Sequence, residues 1–234
     1  MGVIDKIPLL KLDRDRQVVP QVFEALRGLI VNVVLEPGTV LSRPELAQHY
    51  QVSQTPIREA LLRLSDVGLV DIFPQHTTKV SRIDIGAALQ VHFLRRAVEL
   101  EIVRELSGIP AARRKSLVTR LRTHLRDQTA ALKPLNPVRL ASADLAFHRE
   151  MYETAGVGSL WDVVRQRSGH IDRLRLLNLP AVGKAQAVVE DHKAIVAQIE
   201  AGNASGATKA LNQHLSGTLS FAEELRTRHS EWIV

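Results

Sequence analysis

The chain has 234 residues, 45% of them apolar and none of them cysteine, which excludes disorder, disulfides and any thiolate-held metal. No run of about eighteen uncharged apolar residues occurs and the opening MGVIDKIPLLKLDRDR lacks a signal-peptide core, so neither a membrane span nor a leader is expected, and the expected location is cytoplasmic. A net charge of +6 points to a polyanion partner, although residues 1–83 hold only ten Lys/Arg against nine Asp/Glu, so the excess marks no single module.

From Val18 to Leu35 the apolar spacing is helical, and EPG at 36–38 stops it. Ser42 then opens SRPE, a capping box with proline in the first turn, which predicts a short helix over PELAQHY. After a turn at QVS, Ser53 opens a third helix, SQTPIREALLRLSDVG, that ends near Gly68. LVDIFP and TKVSRI, joined by QHTT, read as a two-stranded ribbon. Three helices and a ribbon make a winged helix-turn-helix in residues 15–83. From Asp84 onward every segment is helical, over 84–107, 111–133, 137–155, 158–178, 184–201 and 204–230, with breaks at SGIP, KPLNP, AGVG, NLPAVG and AGNASG. The fold class is therefore mainly α, with residues 84–230 forming a six-helix bundle.

In a helix-turn-helix the second helix enters the major groove by its first residues. Here Ser53, Gln54, Thr55 and Arg58 stand at that end, while Ile57, Ala60, Leu61 and Leu64 face the core. Gln and Arg suit bidentate reading of adenine and guanine, and Ser or Thr suits phosphate. The stretch LSRPELAQHYQVSQTPIREALLRLSDVGLVDI resembles the DNA-binding domain of the GntR family of bacterial transcription regulators. The resemblance implies that Arg43, Gln54, Thr55 and Arg58 contact DNA, with His76 and Thr77 at the wing. Two positions depart from the family pattern: Gln54 stands where arginine is frequent, and Thr77 stands where the wing tip usually has glycine.

In the second half, SADLAFHREMYETAG places Asp144 and His148 one turn apart. They fall inside the apolar stripe of Leu140, Phe147, Met151 and Ala155 rather than opposite it. A buried carboxylate is costly without a compensating charge. His192 shares a face with Val188, Ile195, Val196 and Ile199, and His214 with Ala210, Leu211, Phe221 and Leu225. Three inward imidazoles and a carboxylate describe a divalent metal site. With no thiolate available, zinc, nickel, manganese and iron(II) all suit it, and the metal would compensate Asp144. Glu190 and Asp191 flank His192 at angles that turn them elsewhere.

This half resembles the FCD domain, the helical effector domain of FadR-type GntR regulators. The resemblance implies Asp144, His148, His192 and His214 as ligands to zinc, nickel or a similar ion, beside a pocket for a small organic acid. It further implies that Arg95, in LRRAVE, is a fork for the effector carboxylate; the alternative for Arg95 is an i,i+4 pair with Glu99. His170 and Arg173 in SGHIDRLRLL are further effector-binding candidates, with a structural histidine as the alternative for His170. The expectation is a metabolite-responsive regulator, not an enzyme, that binds double-stranded operator DNA as a homodimer. The rival readings are a metal-dependent hydrolase or lyase carrying a DNA-binding domain, and a regulator whose metal is purely structural.

Overall fold

The computed structural model describes residues 3–8, 12, 13, 15–73, 77–217 and 221–234. They fall into two compact units, Met1–Ile85 with Arg226–Val234, and Gly86–Leu225.

The first unit holds α1 (Val18–Val31), α2 (Arg43–Tyr50), α3 (Gln54–Asp66), β1 (Val70–Ile72) and β2 (Thr78–Val80). The proline at N2 and the Ser42 hydroxyl, which accepts from Glu45 N, set the start of α2, as its SRPE motif predicts. Gln51, at φ 53°, ends α2 in the left-handed turn that aims α3. Ile57, Ala60, Leu61 and Leu64 of α3 are buried with Val22, Leu26 and Ile30 of α1, which leaves the other face of α3 to solvent. The strands pair antiparallel in the register Val70↔Val80, Asp71↔Lys79, Ile72↔Thr78. His76 lies outside the described residues.

The C-terminal residues belong to this same unit. Ile83 N donates to Trp232 O (2.7 Å), Val234 N to Ile83 O (2.9 Å), and Arg82 Nη2 to the carbonyls of Ser230 and Ile233 (2.7 Å each). Ile83 and Ile233 are both buried. Residues 226–230, read from sequence as the end of the second domain, sit here because the chain end adds a short parallel pairing to the segment after the wing.

The second unit holds α4 (Ile85–Gly108) from its second residue, α5 (Ala111–Ala130), α6 (Pro137–Thr154), α7 (Gly158–Arg167), α8 (Gly169–Asn178), α9 (Lys184–Glu200), α10 (Ala204–Ser216) and the start of α11 (Ala222–Arg228), whose last turn belongs to the first unit. Six helices were expected; two of the expected spans are divided. The span 158–178 breaks at Ser168, whose hydroxyl bonds Val164 O (2.7 Å) and whose neighbour is Gly169; a hydroxyl competing for a helical carbonyl beside a glycine interrupts the ladder. The span 204–230 stops at Ser216, where the Ser216 hydroxyl bonds Asn212 O (2.7 Å) just before Gly217. The core is built from α4, α5, α6, α9 and α10, with Phe147, Met151, Tyr152, Ile195, Ile199 and Leu211 buried together. No helix among the described residues is long and apolar enough to cross a membrane.

Candidate functional site

In the first unit Arg43, Ser53, Gln54, Thr55 and Arg58 are all exposed, at the start of α2 and the start of α3. The Ser53 side chain makes no capping hydrogen bond, so its hydroxyl and the first amides of α3 remain open at the tip. Helix N-termini of this kind receive phosphate. Thr77 is exposed at the ribbon's end, where its carbonyl accepts from Phe73 N (2.9 Å).

In the second unit Asp144, His148, His192 and His214 converge from α6, α9 and α10, each buried, with one ligand atom per residue within 4.8 Å of the others. His192 Nε2 lies 3.2 Å from His214 Nε2 and 3.6 Å from Asp144 Oδ1; His148 Nε2 lies 4.0 Å from Asp144 Oδ2. Ligand atoms on one ion with bonds of about 2.0–2.1 Å stand about 2.9–3.4 Å apart, so the first pair already has coordination spacing.

The proton of one imidazole is set by a hydrogen bond from outside the cluster, and oxygens stand near the other two. Gln128 of α5 donates its amide to Ala143 O (3.3 Å), which turns its carbonyl toward His192 Nδ1 at 2.9 Å. Nδ1 must then be the donor, and Nε2 carries the lone pair. Phe147 stacks on that ring at 4.2 Å and holds its plane. Glu99 Oε2 lies 2.9 Å from His148 Nδ1, within ion-pair reach although off the hydrogen-bonding line. Asp191 Oδ2 lies 3.5 Å from His214 Nδ1, near it but not hydrogen-bonded. An oxygen therefore faces each Nδ1, which favours three Nε2 lone pairs turned inward. Asp144 Oδ1 and His148 Nε2 are buried with no hydrogen-bond partner, and His192 Nε2 and His214 Nε2 have only each other. Buried lone pairs that face one another are costly, and a divalent cation among them would satisfy the whole set. The residues present fit such an ion.

The electrostatics agree with neutral imidazoles at His148 and His192. Burial pushes His148 down to about 4, although Glu99 pulls the other way. Burial and the adjacent His214 push His192 well below the ordinary range. Burial would raise Asp144, but the Arg175 guanidinium beside it holds it well below the carboxylate range.

Three features differ from the sequence reading. Asp144 already has a cation beside it, since Arg175 Nη2 of α8 donates to Asp144 Oδ2 at 2.6 Å. The metal is thus not its sole source of compensation, and the apolar pattern around Arg175 carried no signal of this. Two carboxylates, Glu99 and Asp191, do sit beside the imidazoles, on the side away from the converging Nε2 atoms. Asp191, expected to turn elsewhere, reaches His214 because α10 packs directly on α9. Arg95 is 4% exposed and forms the i,i+4 pair, its Nε donating to Glu99 Oε1 at 2.6 Å; its buried Nη2 has no hydrogen-bond partner. Glu99 accordingly links Arg95 to His148. Burial raises Glu99, but the Arg95 guanidinium bonded to it more than offsets this and holds it at about 2. His170 and Arg173 are buried and bonded to each other, Arg173 Nη2 donating to His170 Nδ1 at 3.1 Å.

Comparison with known proteins agrees with this division. Residues 19–80 match the family of bacterial regulatory proteins, gntR family, and residues 90–217 match the FCD domain. An HTH-type transcriptional regulator from an unstable DNA locus of Streptomyces ambofaciens is 33% identical over 90% of this chain and 87% of its own length. The HTH-type transcriptional repressor RspR of Escherichia coli is 25% identical over 95% of this chain and 96% of its own. In fold, the chain is similar to the solved structure of E. coli McbR/YncC, with a TM-score of 0.74 at 19% identity over 90% of this chain and 99% of that one.

Proposed function

The chain belongs to the gntR family of bacterial regulatory proteins and carries an FCD domain, and from that premise we propose that its second unit senses a small organic acid at a divalent metal ion. As a member of that family it is a DNA-binding transcription regulator, in the company of regulators and not of enzymes. The finer reading rests chiefly on one observation: buried imidazole nitrogens and a carboxylate oxygen converge with their lone pairs unmet.

Asp144, His148, His192 and His214 would hold the ion, with Gln128, Glu99 and Asp191 fixing the three rings. Zinc, nickel, manganese or iron(II) fits an all-nitrogen-and-oxygen set, and the later metals bind such sets more tightly. Four protein ligands leave room for one or two more, and the ion supplies a Lewis-acidic position that attracts an anionic oxygen. Arg95, with its spare Nη2, and the buried His170–Arg173 pair are the further effector contacts in this reading. Arg43, Ser53, Gln54, Thr55 and Arg58 read and grip the operator, with His76 and Thr77 at the wing. One short recognition helix buries too little for useful specificity, so two copies read two half-sites as a homodimer.

Elemental analysis of purified protein tests the metal. About one divalent transition ion per chain is expected, and none in His192→Ala. Unchanged content in that variant would remove His192 from the ligand set, and a metal-free wild type would leave the imidazoles structural.

A further inference from the structure

We infer that Arg175 of α8 is the residue that receives the effector's carboxylate beside the metal; this rests on the metal-and-acid reading above and names the contact that would select the acid. Arg95 can offer such a contact only its buried Nη2. Its guanidinium is almost dry and committed to Glu99, which is fully buried and lies against His148. Drawing Arg95 toward an incoming anion would leave the Glu99 carboxylate without its cation in a dry core.

Arg175 is arranged differently. Its side chain is 17% exposed whereas Asp144 is 2% exposed, so of the two guanidiniums by the imidazoles it is the one that meets solvent. Only Nη2 is engaged, on Asp144 Oδ2 at 2.6 Å; Nε and Nη1 make no hydrogen bond to a described residue. A guanidinium is a planar fork of five donors, and one arm here is anchored on a metal-ligand candidate while the others stay open. Asp144 in turn keeps Oδ1, its unpartnered oxygen, for the ion. An anion on an exchangeable position of that ion therefore lies next to the residue that positions Arg175. A carboxylate can place one oxygen on the ion and the other on the open arm of the fork.

Charge pairing favours the same guest. Arg95 is paired with Glu99 and Arg175 with Asp144. A divalent ion then adds two positive charges to a dry site, and an anion from solvent is the available compensation.

Acetate is the probe, read through the visible spectrum of cobalt(II)-loaded full-length protein. Acetate should shift the wild-type spectrum at saturation. Arg175→Gln should retain one cobalt per chain yet need at least about tenfold more acetate, because the ligand set is untouched and the fork is gone. Arg175→Lys keeps the charge beside Asp144 and guards against loss of fold; it should fall between the two. Wild-type acetate affinity in both loaded variants would overturn the role of Arg175 and leave the metal-and-acid reading standing. A wild-type cobalt spectrum that acetate does not alter would overturn that reading, and this inference with it.

Discussion

A histidine that is buried and neutral makes folding pH-dependent in a definite direction. His148 is pushed down to about 4 and His192 well below the ordinary 6.5, mainly by burial. In the unfolded chain both take up protons near 6.5, so below that pH the unfolded state binds more protons than the folded one. Their contribution to stability is therefore complete above 6.5 and is lost as pH falls from 6.5 toward 4. Glu99, held at about 2, adds a second loss below its ordinary 4.5. Chelator-stripped protein should show a thermal midpoint that falls steadily between pH 6.5 and 4, with metal shifting the curve upward by mass action. A flat midpoint across that window would mean the imidazoles are already charged or exposed.

At the level of elements, what could be read in the sequence was what depends on near neighbours along the chain. Helix phase is fixed within two turns, so Asp144 and His148 announced their inward direction, and His192 and His214 did the same. The cap at Ser42 and the helix start at Ser53 were legible for the same reason. What came from other helices was not. Gln128, Asp191 and Arg175 meet the cluster only through the packing of α5, α8 and α9, and no spacing within their own helices marks them. The breaks at Ser168 and Gly217 each fall at a Ser-Gly pair, too small a signal against a continuous apolar pattern. The return of the chain end to residues 82–85 was equally hidden, since three short backbone bonds leave no periodicity. It should matter to stability: Ile233 is 2% exposed, and Ile233→Ala should cost about 2–4 kcal/mol. Hydrogen exchange at residues 82–85 should quicken in that variant, and unchanged protection there would show that the tail merely rests on the unit.

For the whole molecule, the question is how occupancy at the imidazoles reaches the operator. Chain continuity offers a short route. α4 begins at Ile85, whose amide bonds the terminal residue, and the same helix carries Glu99 against His148. A ligand that shifts α4 is therefore expected to change operator affinity. About 1.4 kcal/mol of preference for one arrangement is enough to change operator affinity tenfold. The most direct test is operator affinity by fluorescence anisotropy at fixed salt, on metal-loaded and chelator-stripped protein, across a panel of small organic acids. Arg58→Ala serves as the reference for lost base reading, with an expected cost of about 1–3 kcal/mol. At least one acid should change the affinity of the metal-loaded protein about tenfold and leave the stripped protein unmoved. An acid that acts equally on both would contradict a sensor built on the metal.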